Sequence, residues 1–514
     1  MKFPVSIQIS DIFIHAGILV LALLCGVIAS QGELKFIVLL IGIILAPLPI
    51  LSQAGKVLTG ALVLNFIIVG VIGYFGRFQQ MHWITALLFA AMLVRLPLDM
   101  LSYRHRNRQQ PLTLTFVFLI IFCATAFISI AVNQSPVPQA ILGIKHYLFP
   151  LGITTLIAYG ALTPSFWLSL WRCIPLFMIL QLPIALYQYF VIGKQRSQEI
   201  ASEGMIAWDA VVGTFGGDPE GGGSSGALAL FLCFGMVATF ALRGGKLIST
   251  TLAIVAIASA LLVIILAEVK AVVFFLPFAF LAYQRHQVFK SLSTVLLWLG
   301  GTAIFIPTLL IIYNSLHYSE SGQNYGSLSE IVEYSFKAEA DTETYNRVTG
   351  ELSRSNALRI WWLENIDAGD PLNATFGHGP AASEKSSTFG VGVAAKRYPF
   401  TIGTSTLASL LWDFGLLGAL SLIAALCATA STSFATANQL VESNPILHVI
   451  YESCGVGALL LILDLPYDPS VGNNPVIQSM LATILGIVLT AKHLTQPLLP
   501  TLNTPSFLKD GFTP

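Results

Sequence analysis

Charge is what this chain has least of. Only 10% of its 514 residues are Asp, Glu, Lys or Arg, against 55% hydrophobic residues and a mean hydropathy of +0.77. Soluble domains are about a quarter charged, so an ordinary soluble domain is excluded and a polytopic membrane protein is left. Lys+Arg and Asp+Glu balance at 26 each, so no basic surplus argues for nucleic acid. The six cysteines (Cys25, Cys123, Cys173, Cys233, Cys427, Cys454) all fall inside apolar runs without paired spacing, which argues against a disulfide framework or a cysteine metal site. Solenoid repeats are absent, and low complexity is confined to one glycine run. Long polar intervals are equally scarce: 314–404, roughly ninety residues, is the one such stretch, far above the fifteen or so at which a loop is usually functional or disordered.

What is abundant is apolar sequence. Runs of about twenty apolar residues cross a bilayer as helices, and they are predicted near 12–30, 36–52, 57–75, 83–102, 112–132, 147–163, 166–192, 225–243, 248–267, 271–284, 291–313, 405–427, 446–464 and 475–492. The expected fold is an all-α polytopic membrane protein of about 12–14 transmembrane helices with one large extracytoplasmic loop containing short helices. Lys2 and the apolar run 12–29 read as a signal anchor serving as the first span. Arg104, Arg106 and Arg108 mark one side as cytoplasmic, and alternation puts Lys56, Arg172, Arg243, Lys246, Arg285 and Lys290 with them. Both termini then lie inside, and the loops at 133–146, 193–224, 268–270, 314–404 and 465–474 lie outside. Arg95 and Asp99, four residues apart, read as a structural ion pair. The chain divides into membrane helices with an outer loop at 193–224 (1–313), the large loop (314–404), C-terminal helices (405–492) and a cytoplasmic tail (493–514).

Within the large loop, 327–330 has capping-box spacing before LSEIVEYSFKA, and a second helix is predicted over 355–366. Leu358, Trp361, Trp362 and Ile366 would share its apolar side with Arg359 at the edge, as in a helix lying on the membrane surface.

Four outer stretches carry candidate chemistry. In GIKHYLFP, Lys145 and His146 precede a proline-interrupted helix and serve either as an interface anchor or as an anion site. In VGTFGGDPEGGGSSGAL, successive glycine N–H groups suit a cradle for phosphate or sugar hydroxyls, and a plain linker is the alternative. In AEVKAVVFFLPF, Glu268 and Lys270 stand at a helix mouth, where snorkelling and headgroup binding compete. In the loop, Arg354, Arg359 and Arg397 offer the planar fork that grips phosphate, or else they snorkel to lipid. His378 sits between glycines in FGHGP, which leaves room for close approach.

Taken in order, VGTFGGDP, AEVKA, RIWWLENIDAGDPLNATFGHGPAAS and TSTLASLLWDFGLLG resemble the motif set of the O-antigen ligase and polysaccharide polymerase superfamily over roughly residues 140–430. The resemblance implies a metal-independent glycosyltransferase, without cofactor, that uses an undecaprenyl-pyrophosphate-linked glycan on the outer face of the bacterial inner membrane. Its partners would be that lipid-linked oligosaccharide, membrane lipids, and chain-length regulator and export proteins. The implied catalytic residues are His378, Glu268 and Arg359; Lys145, Lys270, Arg354, Arg359 and Arg397 would hold diphosphate; and Asp218, Glu220, Trp361 and Trp362 would contact glycan. The chain departs from the pattern at Val269-Lys270, where many members have Ser-Arg, and at Thr404-Ser405, where ligases have a His-Asn pair. The second departure removes the ligase-type general base from its expected place, which weakens a ligase reading against a polymerase of lipid-linked repeat units and leaves the base unassigned, with Glu268 and His378 as its substitutes. A flippase for the same lipid is the rival from another class, since carriers have similar span counts but place binding groups near the midplane. No Asp-x-Asp pair and no dinucleotide fingerprint points to a nucleotide-sugar donor.

Overall fold

The computed structural model describes residues 40–42, 44–105, 113–160, 162–193, 210–218, 222–313, 315–316, 352–386 and 390–490. The predicted first span, the arginines at 106 and 108, the capping box at 327–330, Glu220 and the C-terminal tail lie outside them, as does the side chain of Asp218. Among the described residues nine helices are long and apolar enough to cross a membrane, or ten if a bent pair counts as one span. They are α1 (Ala54–Phe75), α2 (His82–His105), α3 (Leu114–Asn133), the bent pair α4 (Val137–Tyr147) and α5 (Leu151–Tyr159), α6 (Pro164–Gly193), α7 (Ser225–Gly244), α8 (Thr250–Ala267), α10 (Leu292–Tyr313), α12 (Thr406–Leu440) and α13 (Pro445–Asp464). Shorter apolar helices are Leu40–Leu51 and α14 (Pro475–Leu489), while α9 (Val272–Val288) is apolar in its first half and carries Arg285 and His286 in its last turn. A loop helix, α11, spans Arg354–Trp362.

The helix starts follow from local chemistry. Thr113, Thr163, Ser249, Ser353, Ser405, Asn444 and Asn474 each accept a hydrogen bond from a first-turn N–H. Pro164, Pro445 and Pro475 follow three of these caps, where a missing N–H costs nothing. α7 is the axis of the bundle, with 94% of its apolar window buried inside protein, while α10 buries only 11% and faces outward over most of its surface. Gly235 against Met178, and Gly457 against Phe234, let neighbouring backbones close in, as small residues do between membrane helices.

The structure corrects three expectations. The stretch predicted as an outer loop at 133–146 is largely helix α4, so Lys145 and His146 end a helix that meets α5 at a 47° bend. The span expected at 405–427 runs to Leu440 and is broken at Gly415, whose φ of 67° is not helical. On α11 the apolar side does not hold both tryptophans: Trp361 is buried, but Trp362 is 52% exposed. One position of rotation along a helix turns the side chain by about 100°, and the buried stripe is Ala357, Trp361 and Asn365.

Basic residues gather at the end of the bundle away from the large loop. Arg172 donates to the Leu247 carbonyl, Arg243 to Thr250, and Arg285 pairs with Glu452 while lying 3.9 Å from the Phe434 ring centroid. Arg95 pairs with Asp99, as expected, and also donates to the Pro49 and Ser52 carbonyls.

Candidate functional site

The large loop is held down by the break in α12. A non-helical Gly415 frees the carbonyls of Leu411, Trp412 and Asp413, and freed buried carbonyls need donors. They receive Trp361 Nε1 (2.9 Å), the His378 N–H (2.7 Å) and Ser129 Oγ (3.0 Å). The FGHGP turn lies directly on the break: a Cβ at Gly377 would overlap the Asp413–Phe414 backbone, and one at Gly415 would overlap Thr375 and Gly377. The buried Asp413 carboxylate then accepts from Ala381 N (3.0 Å), Ser383 N (2.9 Å) and Ser383 Oγ (2.9 Å). Pro380 packs on Gly143 of α4. Residues 380–384 are thereby clamped between α4 and α12.

His378 belongs to this clamp. Its ring centroid lies 5.4 Å from that of Trp412, and Nε2 is 2.9 Å from Asn365 Oδ1. Burial, helped by nearby Arg397, lowers its pKa to about 4, so the ring is neutral at ordinary pH. The native state then binds fewer protons than the unfolded one between about pH 6.5 and pH 4, and the docked loop loses stability as pH falls through that window. Limited proteolysis of the loop should accelerate over that range, and His378→Gln should flatten the dependence.

The start of the glycine stretch, 212–214, is buried and its N–H groups are engaged. The N–H groups of Val212 and Gly213 are taken by Gln188 Oε1 (3.0 and 2.7 Å), and that of Thr214 by Gln181 Oε1 (2.9 Å). Thr214 Oγ1 donates to the Phe66 carbonyl (2.5 Å), in the segment Leu64–Val69 where α1 widens to a π-turn. An anion finds no free N–H among those three.

Two polar constellations lie at the loop end of the bundle. The first surrounds the α4–α5 bend. Lys145 Nζ sits 4.7 Å from the Trp83 ring centroid and 3.5 Å from His146 Nε2, and His82, His146 and Glu384 all feel its charge. Glu384 is placed by the clamp at Ser383 on one side and, on the other, by the two-stranded hairpin of Lys385–Ser386 with Gly390–Val391. Burial raises the Glu384 pKa above the ordinary carboxylate value, and Lys145 opposes that rise. The Tyr147 phenol faces Glu384, Asp413 and Ser409.

The second constellation centres on Tyr467, in the turn after α13. Arg354 stacks over its ring (4.3 Å to the centroid), and Phe275 meets it edge-on at 5.8 Å. Asp464 is fully buried; one carboxylate oxygen accepts from Ser470 Oγ (2.8 Å), and the other has no hydrogen-bond partner among the described residues. Asp468 accepts from Ser470 N (2.9 Å) and stands against Gly226. Tyr313, whose hydroxyl reaches the Val269 carbonyl (3.3 Å), feels the charge of Glu268. The segment between the two constellations is the start of α12: Ser405 caps it, the Thr406 N–H donates to the Asp468 carbonyl (3.0 Å), and the buried Thr404 hydroxyl has no partner among the described residues.

The structure thus brings Lys145 to one constellation, and Arg354, with Glu268 reached through Tyr313, to the other. Arg397 is half exposed and paired with Glu364 (3.3 Å), and Arg359 is exposed on α11. Trp361 is spent on the α12 break and closed to a glycan; Trp362 is open, its Nε1 donating to Asp367 (3.1 Å). Sequence reasoning missed His82, Glu384, Asp413, Asp464, Tyr467 and Asp468. Asp413 and Asp464 were detectable, as carboxylates within or at the end of apolar spans. Glu384 carries no such signal. Protein-family models and curated proteins, searched with the whole chain, give no match.

Proposed function

We propose that this membrane protein is a polysaccharide polymerase that joins undecaprenyl-pyrophosphate-linked repeat units on the outer face of the bacterial inner membrane. The observation that carries this reading is the pairing of two separate cation-bearing constellations, at Lys145 and at Arg354, across the start of α12. A polymerase has two lipid-diphosphate substrates to hold, whereas a ligase has one. Lys145 steadies the diphosphate leaving group electrostatically. Glu384 accepts the proton of the attacking sugar hydroxyl; the new C–O bond forms at the anomeric carbon as its bond to phosphate breaks, and the lipid diphosphate leaves with the electron pair. Glu384 takes this role in place of His378, whose Nε2 is engaged by Asn365 Oδ1 and whose burial-lowered pKa makes the ring a weak base.

The test is incubation of the purified protein with a lipid-linked repeat unit, with products resolved by size. A ladder of lengthening glycan with release of lipid diphosphate is the expected result. Single transfer to a lipid A core acceptor would make the protein a ligase. Transbilayer movement of the lipid without diphosphate release would make it a carrier.

A further inference from the structure

The large loop reaches below the end of the bundle that carries it. α12 begins at Thr406, yet Trp361 donates to the Leu411 carbonyl, and the Gly377 backbone lies against that of Asp413 and Phe414. At about 1.5 Å of rise per residue these contacts stand roughly 7 Å and 10 Å down the helix from its start. α3 gives the same level independently. Asn133, its last residue, donates to the Gly377 carbonyl (3.0 Å), and Ser129, about 6 Å further down the helix, donates to the Asp413 carbonyl (3.0 Å).

The outward surface of α3 stays apolar up to this level. Phe127, Ile128 and Val132 are exposed on it, and Val132 immediately precedes the asparagine that holds Gly377. On a helix that spans a bilayer such side chains meet lipid. The short loop helix Pro371–Phe376 packs against both α3 and α12 at this end.

The face that the loop turns away from the bundle here is apolar too. α11 buries Ala357 and Trp361, whereas Trp362, Leu363 in the wider turn that continues α11, and Leu372 on the short helix are each about half exposed. Arg359 is exposed three and four residues before Trp362 and Leu363, on the same side of the helix. Its stem can cover apolar surface while the guanidinium reaches water. Trp362 keeps Nε1 on the Asp367 carboxylate (3.1 Å). An indole with its apolar body outward and its N–H on a polar group is suited to the level where hydrocarbon meets headgroups.

We propose that the face formed by Trp362, Leu363 and Leu372 is inserted into the lipid surface, so that the large loop is held by the membrane as well as by α12. Its partner is the boundary between headgroups and acyl chains, and the depth read from α3 and α12 matches the roughly 5–10 Å to which interfacial helices sink. A water-soluble partner would have to displace lipid from the last turn of α3 to reach the same face. The seat needs neither a glycan nor a diphosphate, and so stands apart from the function proposed above.

The test reads Trp362 alone, as the difference in fluorescence between the full-length protein and Trp362→Phe, both in phosphatidylcholine nanodiscs. Bromine placed near the headgroup end of the acyl chains should remove about half of that difference emission, and bromine near the chain ends much less. Acrylamide in the water should quench it about threefold less than it quenches free indole. A photoreactive phenylalanine at Leu372 should form an adduct with phosphatidylcholine in the same discs. Strong acrylamide quenching without bromine quenching would put the face in water, open to a soluble partner, and overturns the proposal. Emission insensitive to both quenchers would mean that protein covers the indole, and overturns it equally, as does the lack of a lipid adduct at Leu372. None of these readouts involves glycan transfer, so a protein that forms no polymer can still keep the lipid seat.

Discussion

Glu384→Gln should abolish polymer while leaving the lipid-linked donor bound. The amide keeps the shape of the carboxylate and loses its capacity to take a proton from the attacking hydroxyl, a loss of about a hundredfold or more in turnover. The pH profile gives a second readout. Burial raises the Glu384 pKa, so the active carboxylate form is lost as pH falls through that raised value, and turnover should show an acid limb above the ordinary glutamate range. Lys145 opposes the rise, so Lys145→Ala removes a stabilising charge from the carboxylate and moves the limb to still higher pH, besides weakening the hold on diphosphate. Normal turnover by Glu384→Gln would remove it as the base. An acid limb that stays in place in Lys145→Ala would show that the two groups do not share a site.

Gly415→Ala should release the large loop from the bundle. The substitution asks an alanine to adopt a φ of 67° and drives its methyl into the backbone of Thr375 and Gly377. That backbone conformation, with ψ at −167°, is essentially reserved for glycine and costs about 1–3 kcal/mol, and the overlap about 1–3 kcal/mol more, together enough to undo a locally stable segment. Gly377→Ala attacks the same contact from the other side, so the double variant should be little worse than either single one. Gly390 separates the two costs, since it has a φ of 82° but nothing within 4 Å of an added Cβ, and Gly390→Ala should cost only the conformational part. The measurement is protease cleavage of the loop in the membrane-embedded protein, with thermal unfolding alongside. Equal resistance of Gly415→Ala and Gly390→Ala would mean that the interlocked turns do not hold the loop.

Both experiments act on features that differ in how far they were visible in the residue order. The membrane helices were legible because a bilayer imposes its own length on apolar runs, and their starts at Thr113, Thr163, Asn444-Pro445 and Asn474-Pro475, found in the structure, act through their own next few residues. The loop helix was read over 355–366 from its apolar spacing and is found at Arg354–Trp362, capped by Ser353. Lys145, Arg354 and the Glu268–Lys270 turn were singled out because charge is rare in this chain.

What the residue order did not disclose depends on residues far apart in it. WDFGLLG reads as uninterrupted helix, and its break at Gly415 is stabilised only because Trp361, His378 and Ser129 arrive from elsewhere to take the freed carbonyls. The head of VGTFGGDPEGGGSSGAL reads as part of an open anion cradle until Gln181 and Gln188 of α6 take the N–H groups of Val212, Gly213 and Thr214. Glu384 stands in an unremarkable run of small polar residues, and becomes a candidate base only where the clamp on Asp413 carries it to Lys145, some 240 positions earlier in the chain. Local sequence determined the helices, their starts and the polar character of the loop, because those depend on solvent transfer and on hydrogen bonds within a few residues. Tertiary structure alone decided which charges meet, because a carboxylate's partner and basicity depend on what is brought beside it in space.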